Sequence, residues 1–259
     1  MKIVTLGDLI LDVIVQLDRP LETGDDTVAV TRTWPGGQAA NVAAWAAALG
    51  AESRFVGKRG ADAAGELVAE ELRQRGVDVA GPAEGRTGVA VSIAAAGDRT
   101  MASDRGSAPD LAPHELDAAW FDCDVLHISG YALARDPIAD AAADAAVAAR
   151  RHGATVSLDA SAFSLIDDRF RARTAAIAPD IVFANERERD ALGPVSAKWV
   201  VKRGAGGLTA DGADWPALPC EVVDTTGAGD ALAAGYLIGG PQLGLEAAAR
   251  ACAQLGAMP

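Results

Sequence analysis

Cysteine, histidine, lysine and aromatic side chains are all scarce in this chain of 259 residues, and each scarcity removes a class of protein. The three cysteines, Cys123, Cys220 and Cys252, are few, far apart and odd in number, which suits neither a disulfide framework nor a zinc site. A reducing cytoplasm is the expected compartment. His114, His127 and His152 are scattered without metal-ligand spacing and read as surface or satisfied core histidines. Positive charge is short as well: 23 Lys and Arg stand against 36 Asp and Glu, a formal charge of −13. A nucleic acid or other polyanion held on a broad basic surface is therefore excluded, and an anionic substrate must be met by a local device. The lysines are Lys2, Lys58, Lys198 and Lys202, and none precedes Ser or Thr, which rules out a Walker-type phosphate loop. No stretch reaches the ~18 uninterrupted apolar residues of a membrane span. Asp8 and Asp12 break what would have to be the apolar centre of an export signal, and the alanine-rich run 39–49 is short and holds Asn41. No membrane contact and no export are expected.

What the chain does have is an ordinary globular balance, 50% apolar and 23% charged, with alanine filling much of the apolar share. Short β-branched runs alternate with longer Ala/Leu-rich runs of helical period, the pattern of βαβ units around a mainly parallel sheet. Strands are expected at 2–6, 53–56, 125–128, 155–158, 181–184 and 199–202. Helices are expected at 38–49, 63–75, 137–151, 170–177, 187–192, 228–237 and 245–254, several closed by a glycine. Two segments, 11–34 and 87–103, read instead as short alternating strands with no helix between them. With no linker or repeat, they are expected to form a small β-sheet lid on one α/β domain spanning 1–259.

Two glycine-containing turns open helices. Asp224-Thr225-Thr226-Gly227-Ala228-Gly229-Asp230 leads straight into ALAAGYLIG, exposing backbone N–H groups at the positive end of a helix dipole, a device for an anion. Asp230 would repel a phosphate but is well placed as general base for a hydroxyl attacking it. An N-capping Asp in a glycine turn would look the same. A dinucleotide fingerprint at Gly227-Ala228-Gly229 fails, because the 29 residues beyond Asp230 read as helix and supply no further strand. The second turn, Pro35-Gly36-Gly37-Gln38-Ala39-Ala40-Asn41, puts Gln38 and Asn41 on one helical face, where amides can donate to and accept from a hydroxyl-rich ligand. Asp8 and Asp12 lie in or beside strands, where hydroxylated substrates are gripped at strand carboxyl ends, or are plain turn and edge residues.

These stretches resemble the ribokinase, or phosphofructokinase B, family of carbohydrate kinases. Gly36-Gly37-x-x-x-Asn41 matches its N-terminal signature and Asp224 to Asp230 its C-terminal one, and the likeness runs along essentially the whole chain. The resemblance implies a three-layer α/β/α sandwich with a small lid, phosphorylating a hydroxyl of a small sugar with ATP and Mg2+, and a monovalent cation such as K+. Asp230 would be the catalytic base, with Gly227, Ala228 and Gly229 forming the anion hole. By the resemblance Asp12, Gly37 and Asn41 would hold sugar hydroxyls; the residue reading adds Asp8, Gly36 and Gln38, Gln38 differing from the residue of ribokinases proper, and Arg105 unless that side chain is simply solvated. Asn185-x-x-Glu188 matches a motif associated with magnesium and phosphate, with Asp224 on the metal side; a charged helix start would read the same. Gly204-x-x-Gly207 and Thr225 would border the nucleotide phosphates, with Lys202 adding a point charge or ending its strand without further role. A homodimer through the lid is also implied. Two alternatives stay open: an adenosine-type nucleoside kinase of the same fold, with Trp34 or Phe163 stacking on a base, and a sugar-binding regulator without catalysis.

Overall fold

The computed structural model describes residues 1–95 and 98–259, so residues 96 and 97 of the expected lid segment 87–103 lie outside the described residues. In chain order the first elements are β1 (Lys2–Leu6), β2 (Ile10–Leu17), β3 (Ala29–Gly36), α1 (Gln38–Ala48), β4 (Glu52–Val56), α2 (Ala63–Gln74) and β5 (Val77–Ala80). Then come β6 (Thr87–Ala95), β7 (Asp98–Gly106), β8 (Val125–Ser129), α3 (Ile138–Arg151), β9 (Thr155–Asp159), α4 (Asp168–Ile177) and β10 (Ile181–Asn185). The last are α5 (Glu186–Leu192), β11 (Lys198–Lys202), β12 (Leu208–Ala210), β13 (Ala213–Trp215) and α6 (Ala228–Cys252).

The expected alternation builds a nine-stranded sheet in the order β13-β12-β11-β10-β9-β8-β1-β4-β5, with β12 antiparallel to both β11 and β13 and the other pairs parallel. Its central strands are covered on both faces and read as continuous apolar runs; β8 is buried along its whole length. On one face Leu126, Val156 and Leu158 pack against Ala141, Ala142, Ala145 and Ala149 of α3. On the other, Ile3, Phe183 and Val200 meet Val42 and Trp45 of α1 and the alanines of α6. Alanine at these contacts is why few aromatics suffice, since small side chains let helix and sheet approach closely.

Strands β3-β2-β6-β7 form the separate lid sheet, with β2 and β6 parallel and the outer pairs antiparallel. Strand alternation sends Ile14, Gln16, Arg32 and Ser92 to one lid face, where they border a space of about 200 Å³ against Val223 and Thr226. Val13, Val15, Val91 and Ile93 take the opposite face.

Three short strands and one helix junction differ from expectation. β5, β12 and β13 have three or four residues each and lie at the sheet edges or, for β12, one strand in, too short to show a period. The two expected C-terminal helices abut as α6, whose backbone leaves the helical region only at Gly239 and Gly240 before Pro241 restarts it. Among the described residues, no helix is long and apolar enough to cross a membrane.

Candidate active site at the strand carboxyl ends

Parallel strands end on one edge of the sheet, and there β1, β8, β9, β10 and β11 deliver Asp8, Ser129, Asp159, Asn185 and Lys202. The N-termini of α1 and α6 arrive at the same edge. Gly37 caps α1 at φ 102°, and a Cβ there would overlap the Asp8 carbonyl, so only glycine fits. Gly227 caps α6 at φ 75°, and a Cβ would overlap the backbone of Ala257. The C-terminal tail is held under this turn: Ala257 carbonyl accepts from Trp45 Nε1 at 2.8 Å, and Gly256 N–H donates to Asp224 at 3.2 Å.

At the start of α6, Ala228 N–H bonds to Thr225 carbonyl at 3.3 Å and Asp230 N–H to Gly227 carbonyl at 3.0 Å. Among the described residues no protein acceptor takes the N–H of Gly227 or Gly229, so these two are the donors open to an anion. Asp230 keeps part of its surface open to the cleft, while Asn41 Nδ2 donates to its Oδ2 at 2.7 Å. Burial pushes its carboxyl up to about 7, against the hydrogen bond from Asn41, with the Asp159 carboxylate raising it further and Lys202 and Gln38 opposing. Asn41 is buried, and its Oδ1 has no hydrogen-bond partner among the described residues. Gln38 is oriented by its neighbours, its Oε1 accepting from Ser129 Oγ at 2.6 Å and from Ser161 Oγ.

Lys202 is more than a strand-end lysine. Its Nζ donates to Asp159 Oδ2 at 2.7 Å, and Asp159 Oδ1 takes the Ser161 N–H at 2.9 Å. Burial works against the charged lysine, but the Asp159 carboxylate, helped by Glu188 and Asp230, holds it above its ordinary value. A Cβ on Gly229 would lie 3.6 Å from Lys202 Nζ, which puts the ammonium beside the open N–H groups.

Asp8 and Arg105, both expected at the substrate, hold each other in a two-point ion pair of 2.5 and 2.7 Å. The pair is largely buried and ties the end of lid strand β7 to β1, so Arg105 is not a solvated arginine. Tyr131 lies under the Arg105 guanidinium at 5.8 Å, its phenol held above the ordinary range by burial and then by Asp230 and Asp8. Asp12 folds across Gly36, where a Cβ would overlap its carboxyl.

Asn185 and Glu188 face each other in a capping box on α5. Asn185 N–H and Nδ2 both donate to the Glu188 carboxylate at 2.8 Å, and Asn185 Oδ1 accepts Glu188 N–H at 2.9 Å. Asp224 closes its own turn, accepting from Thr226 N–H at 2.9 Å and Thr226 Oγ1 at 2.6 Å. Among the described residues no three His, Cys, Asp or Glu side chains cluster to ligate a metal directly. Beside this edge lies a cavity of about 560 Å³, bordered by Lys202, Gly204, Gly207, Leu218, Thr225 and Gly229, a volume fit for a nucleotide-sized ligand.

The structure thus gathers the residues of both glycine turns with Lys202, and lines the cavity with Gly204, Gly207 and Thr225. It adds Ser129, Tyr131, Asp159 and Ser161, which reading the sequence did not place in the site; Asp159 follows the same strand-end rule that singled out Asp8. Of the two aromatics considered for stacking, Phe163 is covered by the Arg187 guanidinium at 3.8 Å. Trp34 is partly buried on the lid, with no hydrogen-bond partner for its Nε1 among the described residues. His127 is a core histidine, pushed down to about 4 by burial and bonded to Ser157 at 2.9 Å.

Comparison with known proteins agrees with this geometry. The profile of pfkB family carbohydrate kinases matches residues 1–258. The chain is 31% identical over 256 residues to an ATP-dependent ribose-1-phosphate kinase of Halopiger xanaduensis, covering 91% of this chain and 83% of that protein. A fructokinase of Klebsiella pneumoniae is 29% identical, over 92% and 84% of the two chains. Among solved structures, an adenosine kinase from Sinorhizobium meliloti superposes with a TM-score of 0.85 at 25% identity, covering 100% of this chain and 95% of that one. A putative ribokinase II from E. coli in complex with ATP and Mg2+ shares the fold, with a TM-score of 0.86 at 22% identity over 99% and 94%. Family profile, curated relatives and solved structures agree over nearly the whole chain, and the chain belongs to the pfkB family of carbohydrate kinases as an ATP-dependent sugar kinase.

Proposed function

We propose that the chain, acting as one unit over residues 1–259, moves the γ-phosphoryl group of ATP onto a hydroxyl of a monosaccharide, free or already a phosphate ester, with Asp230 as general base. The observation that carries this is the Asp230 carboxyl: it sits at the head of α6, bonded to Asn41 and raised to about 7, where a base can take a proton near neutral pH. The sugar lies between the lid and the strand ends, against Asp12, Gly36, Gly37, Gln38 and Asn41, with the Asp8–Arg105 pair fixing the lid. Asn41 Oδ1 accepts from one of its hydroxyls. ATP enters the cavity beside Gly204, Gly207 and Thr225, its γ-phosphate toward the N–H groups of Gly227 and Gly229. As the sugar oxygen attacks phosphorus, its proton passes to Asp230 and ADP departs. The two N–H groups and Lys202 meet the charge that builds on the phosphoryl oxygens. Lid closure excludes water, so that the sugar and not the solvent is the acceptor.

Mg2+, when bound with ATP, neutralises and orients the phosphate oxygens. Glu188, Asn185 and Asp224 would hold it through its waters, because their side chains already make hydrogen bonds within the protein. No step calls on a monovalent cation such as K+. The cytoplasm is the compartment that fits three unbridged cysteines.

An ADP-release assay across pentoses, hexoses, their phosphate esters, ketodeoxy acids and nucleosides tests this reading. Turnover is expected with a monosaccharide or its ester, and kcat/KM is expected to fall about tenfold per pH unit below the Asp230 value of about 7, as the base becomes protonated. A nucleoside as best acceptor would establish the adenosine-type alternative. Sugar binding in calorimetry with no ADP released from any acceptor would establish the regulator.

The homodimer belongs to the same proposal. Val13, Val15, Val91 and Ile93, on one lid face, are all partly exposed, and a second lid is the surface of matching shape and polarity. Light scattering should give twice the chain mass, falling to the single mass in Val91→Asp; a monomeric parent protein refutes it.

A further inference from the structure

Two of the three cysteines meet at the edge of the large cavity. Cys220 lies between β13 and α6, and Cys252 is the last residue of α6. The N–H groups of Val223 and Asp224 both bond to the Cys252 carbonyl, at 2.8 and 3.2 Å, drawing the segment against the helix end. Burial, and after it the neighbouring Cys220 side chain, holds the Cys252 thiol above its ordinary value, and both residues line the space of about 560 Å³ that Lys202, Gly204 and Thr225 also border. Cys220 is exposed and Cys252 half-buried, both as free thiols. Neither has a part in phosphoryl transfer. Cys123 is buried elsewhere, under β1 and β8, with its thiol pushed up to about 11 by burial.

We propose that Cys220 and Cys252 are a dithiol modification site, closed to an intramolecular disulfide by low-molecular-weight disulfides of the glutathione class, and that closure weakens nucleotide binding. This rests on the reading of the cavity as the nucleotide site. The exposed Cys220 thiolate attacks one sulfur of the small disulfide, forming a mixed disulfide and releasing one small thiol. The Cys252 thiolate then attacks the Cys220 sulfur, forming the protein S–S bond and releasing the second small thiol. The two protein protons end on the two released thiols, the small disulfide is reduced, and the protein pair is oxidised. Before closure the backbone of Val223 and Asp224, just beyond the segment 216–222, bonds to the end of α6; afterwards Cys220 is pinned there as well. The cavity wall then loses the freedom to fit a nucleotide.

The full-length reduced protein, treated with oxidised glutathione, tests this. A Cys220–Cys252 cross-linked peptide is expected, with Cys123 still alkylatable after denaturation. KM for ATP should rise about tenfold, a coupling of ordinary size, while kcat and the acceptor KM stay within about twofold. Dithiothreitol should reverse both changes. In Cys220→Ser and Cys252→Ser, the ratio of oxidised to reduced KM for ATP should fall to about one, each variant serving as its own baseline. ADP should protect both thiols from alkylation; failure to protect overturns the nucleotide-site reading and the coupling with it. Protection without a bridge, or a bridge that leaves the KM for ATP unchanged, overturns this inference alone.

Discussion

Replacing Asp230 with Asn is expected to lower kcat by about 10³-fold or more, the upper part of the range for a positioned base, while the sugar dissociation constant stays within about threefold. The amide keeps the size of the carboxyl and an oxygen for the Asn41 Nδ2 donor, so the acceptor site is preserved and the proton sink is lost. The same substitution should stabilise the protein. Burial raises the folded-state value of Asp230 from 3.8 to about 7, so the folded state holds a proton that the unfolded chain has already released between those values. Stability is therefore lost as pH rises through that window, and the loss is complete above it. Asn does not titrate, so D230N should melt about 2–6 °C above the parent protein at pH 8, with the difference vanishing below about pH 4. Turnover comparable to the parent would remove Asp230 as base, and a lower Tm at pH 8 would show that its carboxylate is not held under strain.

The second large effect is expected at Lys202. Lys202→Met leaves the fully buried Asp159 carboxylate without its partner, a change that costs about 3–5 kcal/mol in comparable buried pairs, or a fall in Tm of roughly 6–15 °C. It also removes the positive charge that opposes the upward displacement of Asp230, so the acid limb of kcat/KM should move above its value of about 7. Asp159→Asn in the same chain removes the orphaned charge and should restore most of the stability while kcat stays low. Stability separates the structural part of the pair from its electrostatic part. If the double variant recovers turnover along with Tm, Lys202 serves the fold and has no part in phosphoryl transfer.

Much of this architecture was legible from local pattern. The central strands lie between two helical layers and show as apolar runs, the helices show their period, and both glycine turns mark helix starts that the structure places at one sheet edge. The short strands β5, β12 and β13 were not legible, because three or four residues carry no period and their pairing is decided by neighbours distant in sequence. Nor was the junction in α6: Gly239-Gly240-Pro241 reads as a break, yet both halves run on with only two residues out of helical geometry.

The site shows the same division. Gly37 and Gly227 could be singled out because backbone at positive φ pressed against another backbone segment admits only glycine, a requirement written into a few consecutive residues. The pairing of Asp8 with Arg105, 97 positions apart, and of Asp159 with Lys202, 43 apart, was not legible, because a charge in a sequence does not name its partner. The scarcity of cysteine, histidine and positive charge, the α/β alternation and the two glycine turns are properties of composition and short spacing, and residue order alone specifies them. Which side chains meet at the strand ends is a matter of folding. So is the value of about 7 for Asp230 and the meeting of Cys220 with Cys252, because burial and long-range contact are set by packing, and only the tertiary structure sets packing.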